Sequence, residues 1–178
     1  MSQALAVDRF KFIDESGINL AMTRLFGRAP RGARVVDAVP QNYGPTVTLI
    51  GALACRGLEA VMTGEGATDG DVFRAYVEQV LGPLLVPGDV VLMDNLRAHK
   101  VTGIREASER CGAHVQYLPP YSPALSPIEP CWSQVKTAVR KAKARTREAL
   151  DSAGAHVLTT ITATDARHWF AHCGYPVQ

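Results

Sequence analysis

What the sequence lacks narrows its function before any motif is considered. Its four cysteines are far apart and form no CxxC pair, so no zinc site is predicted. Neither a long apolar run nor a cleavage site follows the first methionine, which argues against a secretory leader. Scattered cysteines in such a chain favour reduced thiols and a cytosolic location.

Long hydrophobic runs and strong charge bias are also missing. No stretch approaches the roughly 18 apolar residues of a membrane span, so no membrane partner is expected. The net charge is +2, which is too small to identify a nucleic-acid-binding protein by itself. The loop GEGATDG (64–70) lacks the G-x-x-x-x-G-K-[ST] spacing of a P-loop, which argues against an ordinary nucleotide-dependent metabolic enzyme.

Hydrophobic patterning predicts one α/β domain over residues 1–178, with no interior break. Short apolar or alternating segments predict strands, and 3.6-residue periodicity predicts helices. The predicted strands are 9–16, 21–32, 45–57, 58–64, 88–95 and 113–120, and the predicted helices are 71–85, 100–111, 127–144, 146–161 and 164–172. This order indicates a mixed sheet of about five strands flanked by helices on both faces.

Three carboxylates stand at predicted element ends. Asp14 ends the first strand, Asp94 follows the apolar run VVLM, and Glu129 opens a helix. In open α/β sheets functional groups gather where central strands end, so the three side chains can meet in space. Clustered carboxylates repel one another unless a cation holds them, and Mg²⁺ or Mn²⁺ suits oxygen ligands. Two such ions support phosphodiester cleavage.

Each acid also has a purely structural interpretation. Ser126 and Glu129 have the S-x-x-E spacing of a helix capping box. Asp94 fits a turn after a strand, and Asp14 fits an ordinary loop acid. Glu15 follows Asp14 directly, so the identity of the first metal ligand is ambiguous. The residues alone leave these alternatives open.

Three segments together form a more specific pattern. FIDESG, VVLMDNLRAHK and YLPPYSPALSPIEPCWSQVK resemble the catalytic domain of DDE transposases, in particular the bacterial insertion-sequence branch of the mariner-like superfamily. The resemblance covers about residues 9–145. Between Asp94 and Glu129 lie 34 residues, a spacing similar to that found in this branch. It implies an RNase H-like fold, with Asp14, Asp94 and Glu129 as the metal-binding catalytic triad.

The resemblance implies that the chain cuts DNA and transfers the cut strand, using two Mg²⁺ or Mn²⁺ ions. Its partners would be transposon ends, target DNA and a second copy in a homodimer, in the bacterial cytoplasm at the nucleoid. Full-length relatives carry a helix-turn-helix region before the first catalytic strand, whereas about eight residues precede it here. We therefore expect the catalytic half alone, with that region absent or on a separate partner. The alternatives are an RNase H-like nuclease of other specificity and an inactive DNA-binding remnant.

Five further residues near the triad are candidates for supporting the metal site or contacting DNA: Glu15, Asn95, His99, Lys100 and Trp132. His99 fits a phosphate contact, a group behind the metal or a surface histidine. Lys100 fits a phosphate contact or a solvated helix end. Trp132 fits base stacking or, with more weight, a core anchor for its helix.

A basic stripe follows Glu129. Lys136, Arg140, Lys143 and Arg147 are spaced to share one helix face if the helix continues to residue 147. Such a stripe predicts sequence-independent binding of the DNA backbone, and the alternative is a solvated face. Five prolines within residues 117–132 restrict the chain that leads to Glu129, so we expect them to hold this carboxylate in place. The alternative is that they only wrap a sheet edge.

Overall fold

A five-stranded mixed sheet organises the protein, in a computed structural model that describes residues 6–100 and 102–177. The strands are β1 (Phe10–Ile18), β2 (Val47–Ala54), β3 (Gly57–Glu65), β4 (Val90–Met93) and β5 (His114–Tyr117). Their order is β3-β2-β1-β4-β5. The pairs β1–β2 and β2–β3 are antiparallel, whereas β1–β4 and β4–β5 are parallel.

Helices cover both faces of the sheet. They are α1 (Gly70–Tyr76), α2 (Ile104–Arg110), α3 (Ile128–Ala142), α4 (Arg147–Thr159) and α5 (Ala163–His172). The predicted α/β class, with about five strands between two helical layers, is therefore confirmed. Among the helices described, none is long and apolar enough to cross a membrane.

The sheet separates two hydrophobic cores, and successive side chains of β1 point alternately into one core and the other. Phe12 lies in the core beneath α3, α4 and α5, whereas Ile13 lies in the core beneath α1 and α2. Successive strand residues point to opposite faces. Asp14 is therefore directed to the α3 face, and Glu15 to the α1 face. Each large apolar side chain buried in these cores contributes about 1.5–3 kcal/mol.

The prediction of a strand over residues 21–32 is wrong. This stretch belongs to the irregular connection 19–46, and β1 pairs directly with β2 across it. Pro30 lacks the backbone N–H that a ladder needs, and Gly32 has a φ of +86°, a conformation typical of a turn. Apolar residues here do not enter the sheet: Phe26 is 89% exposed.

The helix predicted over 71–85 keeps α geometry only in its first part. After Tyr76 it continues as a π-helical turn, Val77–Leu81, and a 3₁₀ turn, Gly82–Leu84. The latter contains Pro83, whose missing N–H disfavours a continuous α-helix. The α-helix predicted from residue 100 begins instead at Ile104, after Gly103 in the left-handed region.

Candidate active site

The parallel ladder between β1 and β4 brings Asp14 and Asp94 together. Its last described pair is Ile13 with Met93, so each aspartate is the first residue beyond the ladder on adjacent strands. The prediction that Asp14 ends its strand is wrong, because β1 remains paired with β2 as far as Ile18. The end of the parallel pairing, rather than the end of the strand, positions the two acids.

Helix α3 brings the third carboxylate to the same face of the sheet. Trp132 is 2% exposed and lies against Gly51 of β2, where an added Cβ would approach its ring to 3.1 Å. Gly51 is the register partner of Asp14. Glu129 lies three residues before Trp132, almost one helical turn away. The close contact between Trp132 and Gly51 therefore brings the start of α3 next to the strand that carries Asp14.

Asp14, Asp94 and Glu129 line one cleft of about 430 Å³. The proline-rich loop, residues 118–123, forms another part of its lining. Among the residues that the structure describes, no group of three or more His, Cys, Asp or Glu side chains is close enough together to hold a metal ion. The carboxylates thus share a cleft without forming a closed ligand cluster.

Burial and negative neighbours change the acidity of Asp14. Desolvation is the largest cause, and the charges of Glu129, Glu15 and Asp94 add to it, although a backbone hydrogen bond at Glu15 opposes them. Together they raise the pKa of Asp14 from its ordinary 3.8 to about 7. A carboxyl group at this position is destabilised in its charged form, as expected where like charges crowd without a counterion.

His99 contacts both Glu15 and Asp94 from the α1 side of the sheet. It is fully buried, and its Nε2 lies 2.8 Å from Oε2 of Glu15. Its Nδ1 lies 2.7 Å from Oδ1 of Asp94. Its ring also packs on Phe73, with 4.3 Å between ring centroids. The surface-histidine interpretation is therefore wrong, and a phosphate contact would require His99 to leave the interior.

The neighbours of His99 set its protonation. Burial by itself would lower the pKa of His99, but the hydrogen bond and charge of Glu15, together with Asp94, outweigh burial and raise it above the ordinary value. Glu15 thus has a partner in the interior and does not line the cleft described above. Asp14 is the acid of this pair that faces the cleft.

The other candidates near the triad have distinct positions. Asn95 lines the cleft, and its side-chain amide donates to the carbonyl of Leu118, which joins the end of β4 to the proline-rich loop. Lys100 is exposed, with its Nζ 5.4 Å from the ring centroid of Tyr117. Trp132 is buried, so the core-anchor interpretation describes it and base stacking does not.

The local structure also bears on the capping and turn alternatives. Within the described chain, Pro127 occupies the N-cap position of α3, no side-chain hydrogen bond caps the helix, and Glu129 is exposed. The capping box that the S-x-x-E spacing allows is therefore not formed. Asp94 does take part in a turn, because its Oδ1 accepts a hydrogen bond from the Leu96 backbone N–H at 3.0 Å.

The predicted basic stripe is interrupted. Helix α3 ends at Ala142, and Lys143 adopts the left-handed conformation with φ of +50°. Arg147 instead begins α4 and pairs with Glu65 and Asp151, each at 2.9 Å. The prediction of one continuous stripe through residue 147 is therefore wrong. Lys143 pairs with Asp37, whereas Lys136 and Arg140 remain on α3.

Two further positions contribute to this site, and the sequence gives little or no signal for them. Gly51 permits the close contact of Trp132, and its signal was an isolated glycine inside an apolar strand pattern. Tyr121, in the proline-rich loop, lines the cleft. Nothing in the LPPYSP motif distinguishes an aromatic side chain that faces a cleft from one that packs in the core.

Comparison with known proteins identifies the family. The family described as DDE superfamily endonuclease matches residues 9–151. Comparison with curated protein sequences gives no match.

Among solved structures, the Mos1 transposase paired-end complex with left transposon end superposes with a TM-score of 0.77 at 16% identity, covering 94% of this chain and 52% of that chain. The mariner Mos1 paired-end complex with Mg gives 0.70 at 16%, with the same coverage. The catalytic domain of Mos1 mariner transposase gives 0.63 at 14%, covering 94% and 78%.

The chain thus spans about half the length of the transposase chains in the Mos1 complexes. These similarities confirm the predicted RNase H-like fold, whereas the insertion-sequence branch stays a prediction. Because the family matches most of the sequence, the chain belongs to the DDE superfamily endonucleases.

Proposed function

We propose that this chain is the catalytic domain of a DNA transposase, which cuts DNA and joins the cut strand to a target. Asp14, Asp94 and Glu129 would hold the divalent cations for both steps. One observation carries the proposal: three acids distant in sequence line a single cleft, and each lies in its own motif of the DDE pattern. If the three acids were only capping and turn residues, nothing would require them to line the same cleft.

The chemistry of the cleft fits a divalent cation. Its candidate ligands are carboxylate oxygens, which suit Mg²⁺ and Mn²⁺. Burial, with negative neighbours added to it, raises the pKa of Asp14 to about 7; its charged form is therefore destabilised, and a bound cation would stabilise it. Bound there, two such ions would activate the attacking hydroxyl and stabilise the leaving oxygen. The Mos1 complexes with Mg and with Mn support this choice of metal.

The protein's own residues would keep the ligands in position. Asp14 is fixed by the pairing of β1 with β2 and by the β1–β4 ladder that ends one residue before it. Asp94 is fixed by its turn and by the contact with His99. Asn95 holds the proline-rich loop against the end of β4. Glu129 is carried by a helix that Trp132 anchors on the sheet. Ligands on rigid elements reach productive geometry at a smaller entropic cost.

The substrate we infer is DNA, both transposon ends and target. The names of two similar structures describe Mos1 with a transposon end and in a strand transfer complex, which supports this substrate. Lys136 and Arg140 on α3 would contact the phosphate backbone as it approaches the cleft. We also propose a homodimer that acts with a helix-turn-helix region, in the bacterial cytoplasm at the nucleoid.

The test is cleavage of supercoiled plasmid DNA by the purified chain in Mg²⁺ or Mn²⁺, compared with Asp14→Asn, Asp94→Asn and Glu129→Gln. A matched control is Asp71→Asn, because the Asp71 side chain is 83% exposed and lies outside the cleft lining. We expect nicking by the wild-type chain and by Asp71→Asn that stops with EDTA, and strongly reduced nicking by the three triad variants. A labelled oligonucleotide with a free 3′-OH should join plasmid DNA under the same conditions.

The same assay separates the alternatives. Cleavage of an RNA–DNA hybrid in preference to plasmid, without joining, would identify an RNase H-like nuclease of other specificity. Plasmid binding without cleavage in either metal would identify an inactive remnant. Equal nicking by the wild-type chain and Asp14→Asn would contradict the proposed triad.

A further inference from the structure

Tyr121 is the most exposed large side chain beside the catalytic cleft. Its relative exposure is 102%, yet it lines the same cleft as Asp14 and Asp94. Its backbone φ is +56°, a left-handed conformation that is uncommon for a bulky residue. Such conformations persist where the surrounding structure imposes them, and they cluster at active sites. An aromatic ring is therefore held in solvent at the mouth of the cleft.

The loop that carries Tyr121 is fixed at both ends. At its start, the Leu118 backbone N–H donates to the Met93 carbonyl at 2.9 Å, and the Asn95 amide donates to the Leu118 carbonyl. At its far end, the Tyr175 hydroxyl donates to the Leu125 carbonyl at 2.8 Å. Prolines at 119, 120 and 123 restrict the chain between these points. The ring thus extends from a braced loop.

The position of the ring indicates what would cover it. On the proposed function, the scissile phosphate approaches the three carboxylates, and the nucleotides that flank it pass the loop wall. In an intact duplex each base face is covered by its neighbours, whereas an unpaired or unstacked base offers its face to an aromatic ring. We infer that Tyr121 stacks on an unstacked nucleobase next to the phosphate that is cut, an inference that rests on the proposed function.

The test measures binding of DNA probes that contain the fluorescent base 2-aminopurine, with Ca²⁺ in place of the catalytic metals. One probe is a duplex with a single unpaired 2-aminopurine, and the other is fully paired. The variants are Tyr121→Phe, which keeps the ring, and Tyr121→Leu and Tyr121→Gly, which remove it. Glycine also accepts positive φ without strain, so Tyr121→Gly separates loss of the ring from backbone misfolding. The matched control is Tyr43→Ala, a 65% exposed tyrosine outside the cleft lining.

We expect the wild-type chain, Tyr121→Phe and Tyr43→Ala to quench the unpaired probe and to bind it equally. Tyr121→Leu and Tyr121→Gly should lose the quenching and bind that probe roughly 5- to 150-fold more weakly, the equivalent of ~1–3 kcal/mol of base stacking. The paired probe should show a much smaller change. Unchanged binding of the unpaired probe by Tyr121→Gly, or equal losses for both probes, would overturn the inference.

Failure of this inference is distinguishable from failure of the proposed function. If the wild-type chain nicks plasmid in Mn²⁺ while Tyr121→Gly quenches like wild type, the stacking role is wrong and the nuclease proposal stands. If the wild-type chain never nicks DNA but quenching still depends on the ring, the proposed function is wrong and the stacking contact stands.

Discussion

The parallel ladder between β1 and β4 runs from Phe10 to Ile13 of β1, and buried charge is compensated differently at its two ends. At the Phe10 end, Lys11 is 3% exposed, and its Nζ lies 2.8 Å from Glu59 and 3.8 Å from the buried Asp89. Arg9 adds a second cation 3.7 Å from Asp89. Each buried acid there has a basic partner within the chain, which is the usual condition for burying charge.

Three residues further along β1, at Asp14, the nearby acids have no comparable set of basic partners among the described residues. Asp14 shares the cleft with Asp94 and Glu129, and burial, with the charges of these carboxylates added to it, raises the pKa of Asp14. His99, the basic group that contacts Asp94, lies on the other side and is shared with Glu15. The acids at the Lys11 end are paired with cations of the chain itself, whereas on the proposed function the carboxylates at the Asp14 end bind a divalent cation.

The largest expected effect is on catalysis at the Asp14 end. Asp14→Asn should lower metal-dependent DNA cleavage by roughly 10²–10³-fold, because loss of a metal ligand removes several kcal/mol of transition-state stabilisation. Glu59→Gln, at the opposite end, should leave the cleavage rate of the folded protein unchanged. Single-turnover nicking at saturating Mn²⁺ measures both. Equal losses in the two variants would remove the functional distinction between the ends.

The next effect is on stability at the Lys11 end. Lys11→Met should lower the free energy of unfolding by about 3 kcal/mol, because it leaves Asp89 and Glu59 without their shared cation. Arg56→Met is the matched control: its partner is also Glu59, but the Arg56 side chain is 76% exposed, so the loss should be below about 0.5 kcal/mol. Urea unfolding of both variants gives these values. A similar small loss in both would mean that the buried cluster is not stabilising.

A smaller effect is expected from pH in the metal-free protein. The pKa of Asp14 is about 7 in the folded protein against an ordinary 3.8. Its contribution to stability is therefore complete below about pH 4 and is lost as the pH rises through 7. His99, whose folded pKa is also raised, acts in the same direction. We expect a loss on the order of 2 kcal/mol between pH 5 and 8, with Asp14 partly exposed.

Urea unfolding in EDTA at several pH values measures this loss, and Asp14→Asn should flatten most of the slope. Adding Mn²⁺ at pH 8 should restore stability to the wild-type chain. A stability that rises from pH 5 to 8 would contradict the crowded-carboxylate interpretation of this end.

The smallest effect concerns the interrupted basic stripe. Arg140→Ala should weaken DNA binding and reduce the slope of log K against log salt by about 1, because one phosphate contact is lost. Arg147→Ala should change neither, since Glu65 and Asp151 already occupy that guanidinium. Salt titrations of plasmid binding compare the two variants. An equal change in slope would mean that the ion pairs of Arg147 open when DNA binds.

Sequence patterns predict the structure best where a short motif determines an element and the residue that directly follows or opens it. VVLMDN predicted a buried strand followed by an acid, and β4 ends directly before Asp94. The S-x-x-E spacing of Ser126 and Glu129, with Pro127 between them, likewise predicts a helix that begins near Glu129, and α3 begins at Ile128, although the capping box does not form. These features depend only on residues that are neighbours in the sequence, so they can be predicted from it.

Other features depend on contacts between distant segments. The strand that carries Asp14 continues to Ile18 because β2, which begins 29 residues later, pairs with it. His99 is buried because Glu15 and Phe73 surround it, whereas its immediate sequence is compatible with a surface turn. The stripe ends at Lys143 although its spacing is regular. No local pattern reports such long-range pairing.

The most direct test of the central claim is an anomalous difference map from crystals soaked in Mn²⁺. We expect a peak between the carboxylates of Asp14 and Asp94, with Glu129 within reach, and no peak at Glu59 and Asp89, where Lys11 already supplies positive charge. A map without a peak between Asp14 and Asp94 at saturating Mn²⁺, or with its strongest peak at the Lys11 end, would contradict the account.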